Sequence, residues 1–233
     1  MTVKTNHAED AATGVAIPKQ HSRRDFLVKA GGFSLAGAAV LASCKKDAAT
    51  GEFGAVSLGS GDIGILNYAY ALEQLEAAFY TAVMNAPYGG ITAAETAYLT
   101  DIRDHEIAHR EFFKAALGSN AIAALRVNFN TIDFTTRSSV LATAKAFEDL
   151  GVTAYNGAGQ FLQSSAYLTL AGKIVSVEAR HAALIRDLIS PGSFADNTAL
   201  DANALDMARL PKDVLAIAGQ YILTKIDATQ LPS

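Results

Sequence analysis

Cysteine is nearly absent from this chain. Cys44 is the only one among 233 residues, which excludes a disulfide framework and any metal or iron–sulfur site built on cysteines. Charge is sparse as well, at 18% of residues with a formal net value of −4. So mild an acidity gives no electrostatic footing for nucleic acid. Histidine is rare too, with five in all. His7 and His21 fall near the N-terminus, which leaves His105, His109 and His181 for the rest of the chain. What remains is apolar: 50% of the residues are hydrophobic, ample for a buried core in one or two domains.

The apolar, small-residue run from Ala30 to Ala42 is too short for an ordinary spanning helix and reads as a signal-peptide core. Ahead of it, Ser22-Arg23-Arg24-Asp25-Phe26-Leu27 resembles a twin-arginine export signal. Behind it, Leu41-Ala42-Ser43-Cys44 resembles a bacterial lipoprotein cleavage box. On that resemblance residues 1–44 are a leader and the mature chain starts at a lipidated Cys44. The expected location is then the periplasm or cell envelope, reached by the twin-arginine pathway, with the lipid as membrane anchor. An amphipathic N-terminal helix with a chance arginine pair and a buried cysteine is the alternative left open. Residues 45–60, rich in Gly, Ala and Ser, read as a flexible tether.

Two of the three remaining histidines sit in one pattern, written twice. Glu106-Ile107-Ala108-His109 and Glu178-Ala179-Arg180-His181 are each Glu-x-x-His in a helix-favouring run. The Glu and His of each therefore lie i, i+3 on one helical face. Upstream of each stands a Glu followed two helical turns later by Tyr: Glu73 with Tyr80, and Glu148 with Tyr155. The step from Glu73 to Glu106 nearly equals the step from Glu148 to Glu178, so the whole two-helix cassette recurs.

Start and stop signals frame these motifs. A first helix is expected from Asp62, as N-cap, to about Met84, with Leu66, Ala69, Glu73, Glu76, Tyr80 and Val83 inward. Residues 85–90 form a turn. Thr92 and Glu95 make a capping box for a second helix with Tyr98 or Leu99, Ile102, Glu106, His109, Phe113 and Ala116 inward, stopped by Gly118. Glu73 precedes the turn by about as many positions as Glu106 follows it. With the same rise per residue on both helices, the two meet at nearly one height in an antiparallel hairpin. Residues 119–137 show no sustained period and are long enough to cross the bundle, making the second and third helices parallel. The third helix is expected over about Ser138 to Asn156, with Leu141, Ala144, Glu148, Val152 and Tyr155 inward and a turn over 157–163. The fourth is expected over about Ser165 to Ile189, with Tyr167, Ala171, Ile174 or Val175, Glu178, His181, Ile185 and Leu188 inward. Gly172 inside it is unfavourable, and close helix packing is one explanation. Residues 61–190 form the domain; 191–233 are an extension with a short helix from about Pro211 to Lys225.

Four carboxylates and two imidazoles from four helices are the ligand set of a carboxylate-bridged dimetal site in a four-helix bundle. The charge logic supports it: four ionised glutamates balance two divalent ions, so an otherwise prohibitive buried cluster becomes neutral. Glu73 and Glu148 are assigned as terminal ligands, Glu106 and Glu178 as bridges, and His109 and His181 as one nitrogen ligand per ion. Such donors suit iron, manganese or a mixed pair, with zinc less favoured. Tyr80 and Tyr155 are placed to hydrogen-bond ligands, or are simply core tyrosines. Glu76 is left as an extra ligand, an acid beside the ligands, or a residue rotated to solvent. His105, about 100° round the helix from Glu106, is read as a surface residue.

The arrangement resembles the ferritin-like superfamily, which includes rubrerythrins and bacterioferritins. The wording from Leu66 to Tyr80, then Asp104-His105-Glu106-Ile107-Ala108-His109, then Gly151-Val152-Thr153-Ala154-Tyr155, is similar to exported ferritin-like proteins of the desiccation-related type. The resemblance covers about residues 62–190 and implies an all-α, antiparallel four-helix bundle with a diiron centre. Unlike rubrerythrins, the chain has no rubredoxin cysteine pairs, so electrons for a peroxidase cycle must come from an unknown donor. Three functions stay open: an enzyme that reacts with O2 or peroxide, a non-catalytic envelope protein whose metal is structural, and an iron-binding module. Assembly as a homo-oligomer stays open too.

Overall fold

Four long helices carry the fold: α1 (Gly61–Asn85), α2 (Ala93–Leu117), α3 (Arg137–Gly159) and α4 (Ser165–Ile189). A short α5 (Pro211–Ala218) follows. Two-residue strands β1 (Val56–Ser57) and β2 (Ile226–Asp227) pair in parallel, Val56 opposite Ile226. The computed structural model describes residues 54–232, so the arginine pair, the apolar run and Cys44 lie outside the described residues. No helix among the described residues is long and apolar enough to cross a membrane.

The capping box of α2 forms as its spacing predicts. The Thr92 hydroxyl accepts from the Glu95 amide at 3.1 Å, and the Glu95 carboxylate accepts from the Thr92 amide at 3.0 Å. Gly118 ends the helix at φ 55, a conformation a side chain would oppose. The start of α1 differs from expectation. Its N-cap is Ser60, and Asp62 instead accepts from the amides of Gln163 at 2.8 Å and Ser164 at 2.9 Å. Those amides lead into α4 and have no helical acceptor, so a carboxylate from another helix satisfies them.

α1 packs with α2, and α3 with α4, as two hairpins. Polar side chains on α1 trace the link between them. Asn67, near the start of α1, donates to the Asn120 carbonyl and accepts from the Ile122 amide; Gln74, two turns on, accepts from Leu125. At the far end Gly89 donates to the Thr135 carbonyl. The connection thus travels along α1 from one end of the bundle to the other. Arg137 at the start of α3 donates to Glu95 at the start of α2 and to the Leu188 carbonyl at the end of α4. α2 and α3 therefore run parallel, and the antiparallel four-helix bundle with its crossover is borne out. Aromatic rings rather than a helical period fix the crossover: Phe129 and Phe134 each lie 6.0 Å from Phe79.

Every residue of α1 from Gly64 to Ala77 is buried. A surface helix would keep a polar stripe; α1 is enclosed by α2, α3, the crossover and Leu58. In α2, Leu99 is fully buried while Tyr98 is 40% exposed, and the stripe ends on Leu117 rather than Ala116.

Two helix-end expectations and one about the tether are corrected. α3 runs through Gly157 to Gly159, because Gly157 serves packing: a Cβ there would lie 1.7 Å from the Arg209 carbonyl oxygen. The terminal helix stops at Ala218, and the chain beyond it forms a 3-10 turn and β2. Val56 and Ser57, expected in the tether, are strand residues, and Leu58 beside them is wholly buried. Gly172 needs no close packing, since a Cβ there would meet nothing within 4 Å. Arg186 is buried and grips Asp149 through two hydrogen bonds of 2.7 and 2.9 Å while donating to Thr198, which anchors the extension to α3 and α4.

Candidate metal centre

Helical spacing brings the cassette residues together. Glu106 and His109 share one face of α2, Glu178 and His181 one face of α4, while Glu73 and Glu148 reach in from α1 and α3. All four carboxylates are fully buried. His109 Nδ1 lies 2.9 Å from Glu178 Oε1 and 3.4 Å from both Glu73 Oε2 and Glu106 Oε2. His181 Nδ1 lies 2.8 Å from Glu106 Oε1, 3.4 Å from Glu148 Oε2 and 3.8 Å from Glu178 Oε2. Two groups of potential ligands result, each with its atoms within 4.8 Å of one another: Glu73, Glu106, His109 and Glu178, and Glu106, Glu148, Glu178 and His181. Glu106 and Glu178 belong to both.

The separations are short, yet none of these atoms has a hydrogen-bond partner of proper geometry. Glu73 Oε2, Glu148 Oε2, both oxygens of Glu106 and Glu178, and Nδ1 of both histidines are buried and unpaired. Orphaned polar atoms at this depth are costly. They converge on common points instead of pairing, which fits a cation among them. The donor set, carboxylate oxygen with imidazole nitrogen, fits a divalent metal.

Electrostatics says the same. Burial pulls the His109 imidazole down, but Glu106, Glu178 and Glu73 outweigh it and hold it at about 12. Burial likewise opposes charge on His181, and Glu106 and Glu148 lift it to about 10. Burial also raises Glu73 to about 7, with Glu106 adding to it against His109, and it raises Glu148. Glu178 stands well above the carboxylate range through burial and the charges of Glu106 and Glu73. Glu106 alone falls, to about 2, because both imidazoles overcome its burial. The bare cluster therefore favours protons on imidazoles and carboxyls, which a divalent ion would displace on binding.

Tyr80 donates to Glu148 Oε1 at 2.5 Å, and Tyr155 donates to Glu73 Oε1. Each tyrosine thus steadies the carboxylate of the opposite hairpin. Glu76 does not turn to solvent: it is 4% exposed. Its carboxyl stands well above the usual range through burial and the charges of Glu178, Glu106, Glu148 and Glu73. Gly151 makes its room, since a Cβ at 151 would lie 3.2 Å from Glu76 Oε1 and 3.6 Å from Glu178 Oε2. His105 is the residue that sequence reasoning set aside. It is exposed, as expected, but its Nδ1 lies 2.9 Å from His181 Nε2. The signal for it was present only as a third histidine one turn before His109.

A family model described as a ferritin-like domain matches residues 61–191. No curated protein matches the chain.

Proposed function

The chain belongs to the ferritin-like domain family, and from that premise we propose that it is an exported diiron carboxylate protein acting on O2 or peroxide. Its role on this reading is metal oxidation or protection against oxidative and desiccation stress. The observation that carries the proposal is the convergence of eight unpaired buried donor atoms in two groups sharing Glu106 and Glu178. Glu73 and His109 would hold one ion, Glu148 and His181 the other, with Glu106 and Glu178 spanning both. Two ferrous ions bound there would supply two electrons to O2 or peroxide.

The chain's own residues set the conditions for that chemistry. Tyr80 and Tyr155 fix the terminal carboxylates in place through their hydroxyls. Leu99, Ile102, Leu141, Ala144 and Ile185, all buried, keep bulk water from the carboxylates and so strengthen every charge interaction among them. Glu76 lies buried beside these carboxylates, and burial together with the charge of Glu178 raises its carboxyl well above the usual range. The His109 side chain is 13% exposed where the carboxylates are sealed, so the cluster lies nearest to solvent on that side. With one cysteine in the chain, the electrons that restore the ferrous state come from a separate donor. The sequence of signals, Ser22-Arg23-Arg24 before the apolar run and Leu41-Ala42-Ser43-Cys44 after it, supports twin-arginine export and lipid attachment at Cys44.

The test is metal per chain followed by reaction. Ferrous iron is added without oxygen, then O2 or peroxide, and the optical spectrum is followed. Two irons per chain and a turnover lost in Glu178→Ala are expected. Two irons that react with neither oxidant would make the metal structural, and unchanged metal content in Glu178→Ala would remove the site. Cell fractionation of Cys44→Ala against wild type tests the anchor, which fails if both stay on the membrane.

A further inference from the structure

Among the described residues, only one of the two imidazoles facing the cluster has a protein partner for its outer nitrogen. His105 Nδ1 lies 2.9 Å from His181 Nε2, and the two rings meet edge to edge, with centroids 5.1 Å apart and planes 10° from parallel. The inner nitrogen of the same ring, His181 Nδ1, points at Glu106 and Glu148. A neutral imidazole carries one proton. With Nδ1 turned to the carboxylate cluster as a ligand, the proton sits on Nε2 and is donated to His105 Nδ1. His105 then carries its own proton on Nε2. One contact therefore sets the tautomers of both rings.

The other half of the cluster lacks this device. His105 stands one helical turn before His109, and the matching position before His181 is Val177, whose side chain can accept no hydrogen bond. Among the described residues no hydrogen bond reaches His109 Nε2. The six ligand residues repeat between the hairpins, but the support behind their imidazoles does not.

We propose that His105 is a positioning residue that makes the two ion sites unequal, so that the ion held by Glu148 and His181 binds first and more tightly than the ion held by Glu73 and His109. The inference rests on the two-ion reading above. Its physical basis is general: a partner on the outer nitrogen of a ligating histidine fixes the ring and its tautomer and raises its basicity, and losing such a partner costs about 10- to 100-fold in metal affinity.

The test uses Co2+ as probe, added to metal-free full-length protein and followed by calorimetry and visible absorption. Wild type should bind in two resolved steps. His105→Ala should weaken the tighter step by about 10-fold or more and leave the weaker one in place. His105→Gln, which keeps an acceptor, should recover part of the loss. The mirror change Val177→His should strengthen the weaker step and draw the two together. Proton NMR of the paramagnetic Co2+ form gives a second readout: the hyperfine-shifted N–H of His181 should exchange slowly in wild type and quickly in His105→Ala. His105 is exposed, so its loss leaves the core intact, and a circular dichroism spectrum checks this. Two steps unchanged in His105→Ala, or both weakened equally, overturn the inference alone. Failure of wild type to bind two ions overturns the two-ion reading and this inference together.

Discussion

The hairpin α1–α2 presents Glu73, Tyr80, Glu106 and His109 where α3–α4 presents Glu148, Tyr155, Glu178 and His181, and each tyrosine crosses to the other hairpin's glutamate. Around these matched residues the halves diverge. Three positions after Glu73 stands Glu76; three after Glu148 stands Gly151. Nine after Glu73 stands Ala82; nine after Glu148 stands Gly157, pressed against Arg209. α1 is enclosed over most of its length, whereas α4 keeps an exposed face that includes Gly172. The first difference is complementary, since the space that Glu76 fills on one side is left free by Gly151 on the other. Gly151 is small because Glu76 is there. A duplicated set of carboxylates and imidazoles therefore does not require duplicated surroundings, and one buried volume is shared out between the halves.

The largest effect expected from this shared cluster is on pH dependence, because many groups act with one sign. In metal-free protein Glu73 is raised to about 7, and Glu148, Glu178 and Glu76 are raised too. A carboxyl raised on folding binds its proton more readily in the folded state, so its stabilisation is complete below the unfolded value and is lost as pH rises through the folded one. The histidines act in the same direction, His181 up to about 10 and His109 up to about 12. Metal-free protein should therefore lose thermal stability steadily as pH rises from 5 to 9. The gain in Tm on adding Co2+ should grow over the same range, since binding displaces those protons. A metal-free Tm flat across that range would contradict the protonated cluster.

Next in size is Gly151→Glu, which makes the halves alike. The new carboxyl would enter the space of Glu76 and Glu178 with no cation to offset it. A cost of about 3 kcal/mol or more follows from an uncompensated buried acid. The swap Gly151→Glu with Glu76→Gly should recover most of that in urea unfolding, because the pair only exchanges hairpins. If the swap is as unstable as the single change, the two positions are not complementary. Gly157→Ala comes third. The Arg209 carbonyl cannot stay where a Cβ would lie 1.7 Å from it, so the extension must shift, at a cost of about 1–3 kcal/mol. Faster proteolysis of residues 194–210, with the bundle intact, is the expected sign.

Much of this was legible in the sequence because it rests on local spacing. Glu-x-x-His, Glu with Tyr at +7, and the Thr92–Glu95 box all declare themselves within two helical turns, and the repeat supplied the pairing of hairpins. The bounds of α4, expected over about Ser165 to Ile189, are those it has. What stayed hidden depends on residues far apart in the chain. Asp62 looks like a cap for its own helix and satisfies amides 101 and 102 positions away. His105 faces away from Glu106 on its own helix, and only the approach of α4 brings His181 to it. Gly157 reads as a helix breaker until Arg209 is seen beside it. The pairing of Val56 with Ile226 spans the described chain almost end to end, and no local pattern could announce it.

The smallest effect expected separates two uses of glycine within the second hairpin. Gly151 and Gly157 are small because neighbours press on them, while Gly172 sits mid-helix in α4, exposed, with open space where a Cβ would go. Its backbone is ordinary helix, so alanine fits without strain. Glycine there costs helix stability through the freedom it loses on folding, and alanine removes that cost from the unfolded state. Gly172→Ala should therefore stabilise the protein by about 0.5–1 kcal/mol. It should do so in metal-free and Co2+-loaded protein alike, since it touches no ligand. Urea unfolding of both forms measures it. A loss of stability would show that some partner, such as a second copy of this chain, packs on α4 at that point, and a gain confined to one form would tie that face to the metal centre after all.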